Sequence, residues 1–301
     1  MPEGDTIFKI AAYLRRHLLG ASLVGGRVSG YPDWELAGRR VTHVDCQGKH
    51  LWLTLDDEHS LRTHLGMWGT WHHYARGEEW RKPRARATVE LHTRGSVYVC
   101  FNSRDVERVR AGSLRDRTRR AQLGPDLIQH DDRNDEAIAR ARDLLDPDAP
   151  LIDVLLDQRV AAGIGNVYKS EVLFLEGQSP FRPLGTTPDA VLDRLFTTAT
   201  RLLRANVGPG ARITRGAEPE GAGRSLADES PSGTTAESAA APPARPAHDE
   251  YLWVYGRGGL ACGRCDTPIA FARRGRDWRD TYWCPRCQNA PSSPESALRR
   301  S

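Results

Sequence analysis

The sequence predicts an α+β, multi-domain chain: an N-terminal β-sandwich with a leading helix, a helix–two-turn–helix domain, and a C-terminal hairpin. Three observations carry this. After one amphipathic stretch, short apolar runs of strand length fill the chain to about residue 110, punctuated by turn residues. From about residue 117 the apolar spacing lengthens to the helical period. Near the C-terminus, four cysteines fall in two close pairs.

Residues 6–19 place Ile7, Ile10, Ala11, Leu14 and Leu18 on one side of a helix, with Asp5 or Thr6 as N-cap and Gly20 as the stop. The runs VTHVDC, KHLWLTL, SLRTHLGMWGTWHHY, ATVELHT and SVYVCFN follow, separated by turn residues such as Asp56-Asp57 and Arg94-Gly95. Strands this short suit an antiparallel sandwich or barrel, and residues 1–116 form the predicted first domain.

DEAIARARDLL, PLIDVLLDQRVAA, KSEVLFLEG and DAVLDRLFTTATRLLRANV are helical in period, the last stopped by Gly208-Pro209. The turn AGIGN at 162–166, with a helix on either side, predicts a helix–two-turn–helix arrangement within 117–214. Residues 215–248 hold one large apolar side chain, Leu226, among Ala, Gly, Pro, Ser and Glu. Too little surface is available there to offset ordering entropy, so a disordered linker is expected. Aromatic residues return at YLWVYG, opening a hairpin domain at 249–290 and leaving 291–301 as a tail. No internal repeat is present.

Composition sets the outer limits. The chain has 301 residues, 39% of them hydrophobic, with eight Trp and eight Tyr, enough for a sizeable core. Lys+Arg of 43 against Asp+Glu of 39 leaves only +4, too mild a charge to argue alone for a nucleic-acid partner. Only Lys9, Lys49, Lys82 and Lys169 are lysines, so any lysine with a chemical task is one of these. No stretch approaches ~20 consecutive apolar residues, so no membrane helix is expected. The first residues lack the regions of a signal peptide. Six cysteines in a chain of this length make no disulfide scaffold, which suits a reducing cytoplasm.

Cys262 and Cys265, then Cys284 and Cys287, have the spacing of two metal-binding knuckles. Four thiolates would close tetrahedrally around one structural Zn²⁺, and two redox CxxC motifs are the other reading of the same letters. Between the pairs, IAFARRGRDWRDTYW reads as two strands joined by an arginine-rich turn. Carrying Arg273, Arg274, Arg276 and Arg279, it is either a hairpin that enters a DNA groove or a solvated one. The AGIGN turn exposes backbone N–H groups where a helix begins, and Asn166 adds an amide. Such a turn can bind phosphate, but a GxGN turn between helices is common as mere structure and by itself is a weak signal. Lys49 shares strand parity with Leu51, Leu53 and Leu55, so it either faces a pocket or snorkels outwards. From that run alone, snorkelling is the favoured reading.

The chain opens MPEG. Removal of Met1 would leave Pro2 with a free secondary amine, which titrates near ~7.7–8.0 and is partly neutral at physiological pH. Attack of that amine on a sugar C1′ gives an iminium ion, an electron sink that acidifies the C2′ proton. Glu3 stands beside it as a candidate acid/base. Taken alone, MPEG is an ordinary helix lead-in.

PEG, QGK, HLGMWG, LGPDL, LLDQRVAAGIGNVYKSE, VYGR and TYWCPRCQ occur in the order found in the formamidopyrimidine-DNA glycosylase/endonuclease VIII family. The chain resembles this family over essentially its whole length apart from 215–248. The resemblance implies a bifunctional DNA glycosylase/AP lyase that excises oxidised bases and cleaves the strand by β,δ-elimination. It implies Pro2 as the Schiff-base nucleophile, Glu3 as general acid/base, and Lys49 near the lesion phosphates and sugar. It places Asn166 on backbone phosphate, and Arg279 on the phosphates flanking the lesion, where it assists the second elimination. Met67 fits the apolar wedge that fills the hole left by a flipped base; Trp68 either assists it or belongs to the core.

The segment FNSRDVERVR and the MPEG opening resemble the endonuclease VIII branch, so oxidised pyrimidines are the expected lesions. Three positions depart from the family pattern. Thr6 stands where a second acid is common, and Gly66 and Gln122 stand where endonuclease VIII relatives carry a longer polar side chain and an arginine. Gln122 is thus the candidate DNA contact at its position. The 215–248 insertion is expected to loosen the tether of the hairpin. The partner implied is double-stranded DNA containing oxidised bases or abasic sites. One structural Zn²⁺, a monomer, and a bacterial cytoplasmic, nucleoid-associated setting complete the expectation. Two other readings stay open: chiefly an AP lyase with weak base excision, or a non-catalytic DNA-binding zinc protein on the same scaffold.

Overall fold

A computed structural model describes residues 1–130, 132–216 and 251–292. The leading helix α1 (Gly4–Leu18) buries Ile7, Ala11, Leu14 and Leu18, the face expected from their spacing. Eight strands follow: β1 (Gly25–Val28), β2 (Val41–Gln47), β3 (His50–Leu55), β4 (His59–His64), β5 (Thr70–Ala75), β6 (Ala87–His92), β7 (Ser96–Phe101) and β8 (Asp105–Arg110). They form two antiparallel sheets, in the orders β1-β6-β7-β5 and β2-β3-β4-β8. Val44, Leu51, Leu53 and Leu61 of one sheet and Val89, Leu91 and Tyr98 of the other share a buried cluster with the apolar face of α1.

The run SLRTHLGMWGTWHHY is two strands. β4 pairs with β3 and β8, while β5 pairs with β7, so residues 65–69 cross from one sheet to the other. β1 and β8 have no counterpart among the runs read from sequence. β1 begins with two glycines, and β8 turns the carboxylate of Glu107 inward to a buried ion pair with Arg62 at 2.8 Å. Neither shows the apolar alternation that marks a strand.

The helical part contains α2 (Leu114–Ala121), α3 (Asn134–Leu144), α4 (Leu151–Leu156), α5 (Asn166–Leu175) and α6 (Asp189–Ala205). Their core includes Leu155, Ile164, Tyr168, Leu195 and Phe196. α4 stops at Leu156, short of the run predicted for it. Asp157 turns extended, and its carboxylate accepts from the Arg159 N–H at 2.9 Å, an alternative to continuing the helix. The last element is an antiparallel hairpin of β9 (Ala270–Arg274) and β10 (Arg279–Trp283).

Of the predicted linker 215–248, only Arg215 and Gly216 lie among the described residues, and of the tail 291–301 only 291–292. The ends flanking the insertion meet. The N–H groups of Thr214 and Arg215 donate to the Tyr251 carbonyl at 2.7 and 3.1 Å. The Glu171 carboxylate of α5 accepts from the N–H groups of Trp253, Val254 and Tyr255 at 2.8, 2.9 and 2.8 Å. The expectation of a loosened hairpin is therefore corrected, because buried Glu171 holds the chain on the far side of the insertion directly to α5. No helix among the described residues is long and apolar enough to cross a membrane.

Candidate active site

Glu3 is 0% exposed, although it stands at the start of the chain. Its Oε2 accepts from the N–H groups of Gly165 at 2.9 Å and Tyr168 at 3.3 Å, and its Oε1 from Val167 at 2.7 Å. These donors are the unsatisfied amides at the N-terminus of α5, where partial positive charge favours a carboxylate. Of the AGIGN turn, Gly165 gives its N–H to this internal anion, while Ala162 and Gly163 give theirs to the Pro125 carbonyl and Gln158 Oε1, so the reading of a phosphate cradle is corrected for these three donors. The glycines make the approach possible. A Cβ on Gly165 would lie 2.4 Å from Glu3 Cδ, and one on Gly4 would lie 2.9 Å from Gly163 Cα. Gly165→Ala is expected to displace the carboxylate and to destabilise the fold by about 1–3 kcal/mol through overpacking. A thermal melt alongside an abasic-site cleavage assay checks this; unchanged values in both would show that Glu3 does not need this seat.

Around the N-terminus lies a cleft of about 470 Å³, lined among others by Pro2, Glu3, Lys49, Met67, Asn166 and Arg279. α1, the β2–β3 turn, the β4–β5 crossing, α5 and β10 each supply part of it. Lys49 is not on a strand. It occupies the two-residue turn between Gln47 and His50, with Gly48 in the left-handed region at φ 56° and its N–H donating to Asp126 Oδ2 at 2.6 Å. The parity and snorkelling readings are thus corrected: the hairpin tip points Lys49 into the cleft. Burial lowers its pKa to about 8 against the opposing pull of Glu3.

Met67 is 47% and Trp68 76% exposed, so neither belongs to the core. Gly66, also left-handed at φ 64°, packs where a Cβ would lie 2.8 Å from Arg104 Cβ. That contact leaves no room for the longer side chain expected of relatives at this position. Arg279 reaches across the cleft, with Nη1 3.4 Å from Met67 Sδ. Gln122 is not brought to this cleft; it lines a separate depression with His50, Arg119 and Arg159.

Several polar residues had no chemical role in the sequence reading; Asp5 and Thr6 entered it as candidate N-caps, whereas α1 begins at Gly4 with Glu3 in the cap position. Asp5 is buried and receives Arg212 Nε at 3.0 Å and Nη2 at 2.6 Å; the same Nη2 donates to Thr6 Oγ1 at 3.1 Å. The Arg212 guanidinium lies 4.9 Å from the Tyr168 ring centre. The α-amine of Met1 is held below its ordinary value of 8.0 by burial and then by the Arg212 charge, with Glu3 and Asp5 opposing. His64 also lines the cleft, and burial brings its pKa to about 4, leaving it neutral. Tyr255 sits against Asn166. Lys169 is buried between α5 and β10. The only advance signal was the scarcity of lysine; apolar periodicity is silent about buried polar pairs.

The sulfur atoms of Cys262, Cys265, Cys284 and Cys287 all lie within 4.8 Å of one another. Individual separations are 3.4 Å for Cys265–Cys284, 3.4 Å for Cys265–Cys287 and 3.9 Å for Cys262–Cys287. Four thiolates ~2.3 Å from one tetrahedral ion would be ~3.8 Å apart, so the group fits a closed metal site. The N–H of Arg264 points to Cys262 Sγ, and that of Cys287 to Cys284 Sγ, each at 3.4 Å.

Comparison with known proteins meets this geometry from the other side. Residues 1–109 match the formamidopyrimidine-DNA glycosylase N-terminal domain, and residues 123–217 match the formamidopyrimidine-DNA glycosylase H2TH domain. The chain is 34% identical to a probable endonuclease 8 2 of Streptomyces coelicolor, over 97% of this chain and 95% of that protein. It is 35% identical to the DNA-(apurinic or apyrimidinic site) lyase Nei2 of Mycolicibacterium smegmatis, over 96% of this chain and all of that one. Among solved structures, MutM (Fpg) of Thermus thermophilus superposes with a TM-score of 0.70 at 25% identity, covering 96% of this chain and 100% of that one. Fpg of Lactococcus lactis on DNA containing an abasic site has the same fold, with a TM-score of 0.72 at 17% identity, covering 95% of this chain and 99% of that one. An N-terminal sandwich and an H2TH body meeting around a buried Glu3, matched over most of the chain, place this protein in the formamidopyrimidine-DNA glycosylase family.

Proposed function

We propose that the chain is a bifunctional DNA glycosylase/AP lyase of base excision repair. It acts on oxidised bases in duplex DNA, chiefly pyrimidines, and uses Pro2 as nucleophile once Met1 has been removed. One observation carries this: a single cleft joins the chain's N-terminus, the buried Glu3 carboxylate and the cationic or amide groups of Lys49, Asn166 and Arg279. Similarity to proteins named endonuclease 8 and DNA-(apurinic or apyrimidinic site) lyase supports the class and the branch.

The Pro2 amine attacks C1′ and forms a C–N bond. The glycosidic bond breaks, and its electron pair leaves with the base, which takes up a proton. Glu3, within the same cleft, moves the proton needed to open the sugar. The resulting iminium makes the C2′ proton acidic; its loss breaks the C3′–O bond and expels the 3′ phosphate. A second elimination releases the 5′ phosphate, and water frees Pro2. Lys49 and Arg279 offset the charge of the phosphate oxygens, and Met67 with exposed Trp68 occupies the space of the flipped nucleotide. The four cysteines hold one structural Zn²⁺ that stabilises the hairpin presenting Arg279.

Borohydride trapping on DNA with an abasic site tests the reading. Fully processed protein is expected to give an adduct that peptide mapping locates on Pro2, and protein retaining Met1 is expected to give none. The amine must be neutral to attack. A free α-amine titrates near ~7.7–8.0, so trapping should fall as pH drops below that range and the amine is protonated. Processed protein that binds DNA yet yields no adduct would leave a binding protein without this chemistry.

A second reading is favoured by the first turn of α1. The Asp5 carboxylate is engaged by Arg212, and Thr6 carries no acid, so Glu3 is the one carboxylate of that turn lining the cleft. An enzyme that acts chiefly on abasic sites would follow. Comparing excision from a damaged base with cleavage of a preformed abasic site separates the two.

A further inference from the structure

Lys169 takes no part in the chemistry above, yet it is placed with unusual completeness. It lies on α5, three residues after Asn166, and is 0% exposed. An ammonium has three hydrogens, and each finds an acceptor: Asn166 Oδ1 at 2.7 Å, the Asp280 carbonyl at 3.0 Å and Thr281 Oγ1 at 3.0 Å. An apolar side chain of similar volume would fill this space without the desolvation cost of a buried charge. Packing is therefore not what calls for a lysine.

The acceptors show what does. An ammonium only donates, so the end of the Asn166 amide that faces Lys169 must be its oxygen. The donor end, Nδ2, has two hydrogens, one for the neighbouring Tyr255 and one for the cleft that Asn166 lines. The second acceptor is the main chain of Asp280, the residue after Arg279 on β10. One buried cation thus fixes a group on α5 and a group on the hairpin in the same frame.

We propose that Lys169 is a positioning residue for binding of the DNA backbone: it turns the Asn166 amide donor and the Arg279 guanidinium together toward phosphate oxygens of the strand in the cleft. This rests on the DNA-binding reading of the cleft. The charged and titratable groups around Lys169 are Glu3 at the start of α1, Asp153 on α4, and Arg279 and Asp280 on β10. Burial brings its pKa to about 7 despite the three carboxylates. As pH rises through that value the amine keeps two hydrogens for three acceptors, and the frame loosens.

The test uses the full metal-loaded chain and a duplex bearing a tetrahydrofuran abasic analogue, with Kd read by fluorescence anisotropy. Lys169→Met is expected to weaken binding at least about tenfold, in line with losing hydrogen bonds from a charged group. Lys169→Arg should stay near wild type and, remaining charged, should lack the decline in affinity that wild type shows above pH ~7. Lys49 titrates in both proteins, so it cancels in the comparison. In an Asn166→Ala/Arg279→Ala background, Lys169→Met should change Kd by less than about twofold. An equal loss in both backgrounds would overturn the proposal, as would wild-type binding by Lys169→Met. If Lys169→Met melts early, Lys169→Gln, which donates two hydrogens without charge, replaces it under the same criteria. Borohydride trapping by wild type runs alongside: its absence would count against the lyase reading, while the Kd comparison would still judge Lys169.

Discussion

Glu3→Gln is expected to lower base excision and strand cleavage by roughly 10²–10⁴-fold, the range of a lost general acid/base. The substitution preserves size and removes only the charge and the proton capacity. It also replaces one acceptor by an amide NH₂ within a set of three backbone donors from Gly165, Val167 and Tyr168. A donor then faces a donor, so a stability loss of about 1.5–3 kcal/mol should accompany the loss of activity. Single-turnover excision and a thermal melt on the same protein separate the two effects. Folded Glu3→Gln protein that excises at the wild-type rate would remove Glu3 from the chemistry and leave it as the peg that joins α1 to α5.

Cys284→Ser, or removal of the metal by a chelator, is expected to abolish tight binding to abasic DNA while leaving the two larger domains folded. The hairpin has a small apolar cluster of its own, with Val254, Cys262, Ile269 and Cys284 packed on Phe174. So small a core cannot offset chain entropy without a further link. Structural Zn²⁺ contributes about 10–16 kcal/mol in comparable small units, which exceeds what that cluster supplies. Losing it frees β10, and with it Arg279 and two of the three acceptors of Lys169. Metal content by elemental analysis, Kd by anisotropy and far-UV circular dichroism together test this. Metal-free protein that binds as tightly as the loaded form would show that the four cysteines are not what holds Arg279 in place.

The two hydrophobic cores of the larger domains were legible from periodicity. Leu14 and Leu18 of α1, Leu53 of β3 and Leu195 of α6 face inward where their spacing put them. Periodicity failed where a buried surface is polar or lacks side chains: Glu107 on β8 and the glycines of β1 hid two strands. It failed again at Lys49, where a hairpin tip looked like the first residue of a strand. Motif resemblance named Glu3, Asn166 and Arg279 as candidates without saying what holds them.

By itself, the sequence determined which surfaces are apolar, the spacing of the four cysteines, and the set of residues available for chemistry. These depend on neighbours along the chain. Only the tertiary structure decided that the N–H groups of Gly165, Val167 and Tyr168 grip Glu3, that Arg212 and Thr6 close around Asp5, and that Lys169 bridges α5 to β10. Glu3 and Gly165, like Asp5 and Arg212, come together from distant parts of the chain, and hydrogen bonds at such separations leave no periodic trace. They form because each buried charge must find a partner, and folding alone determines which partner is in reach.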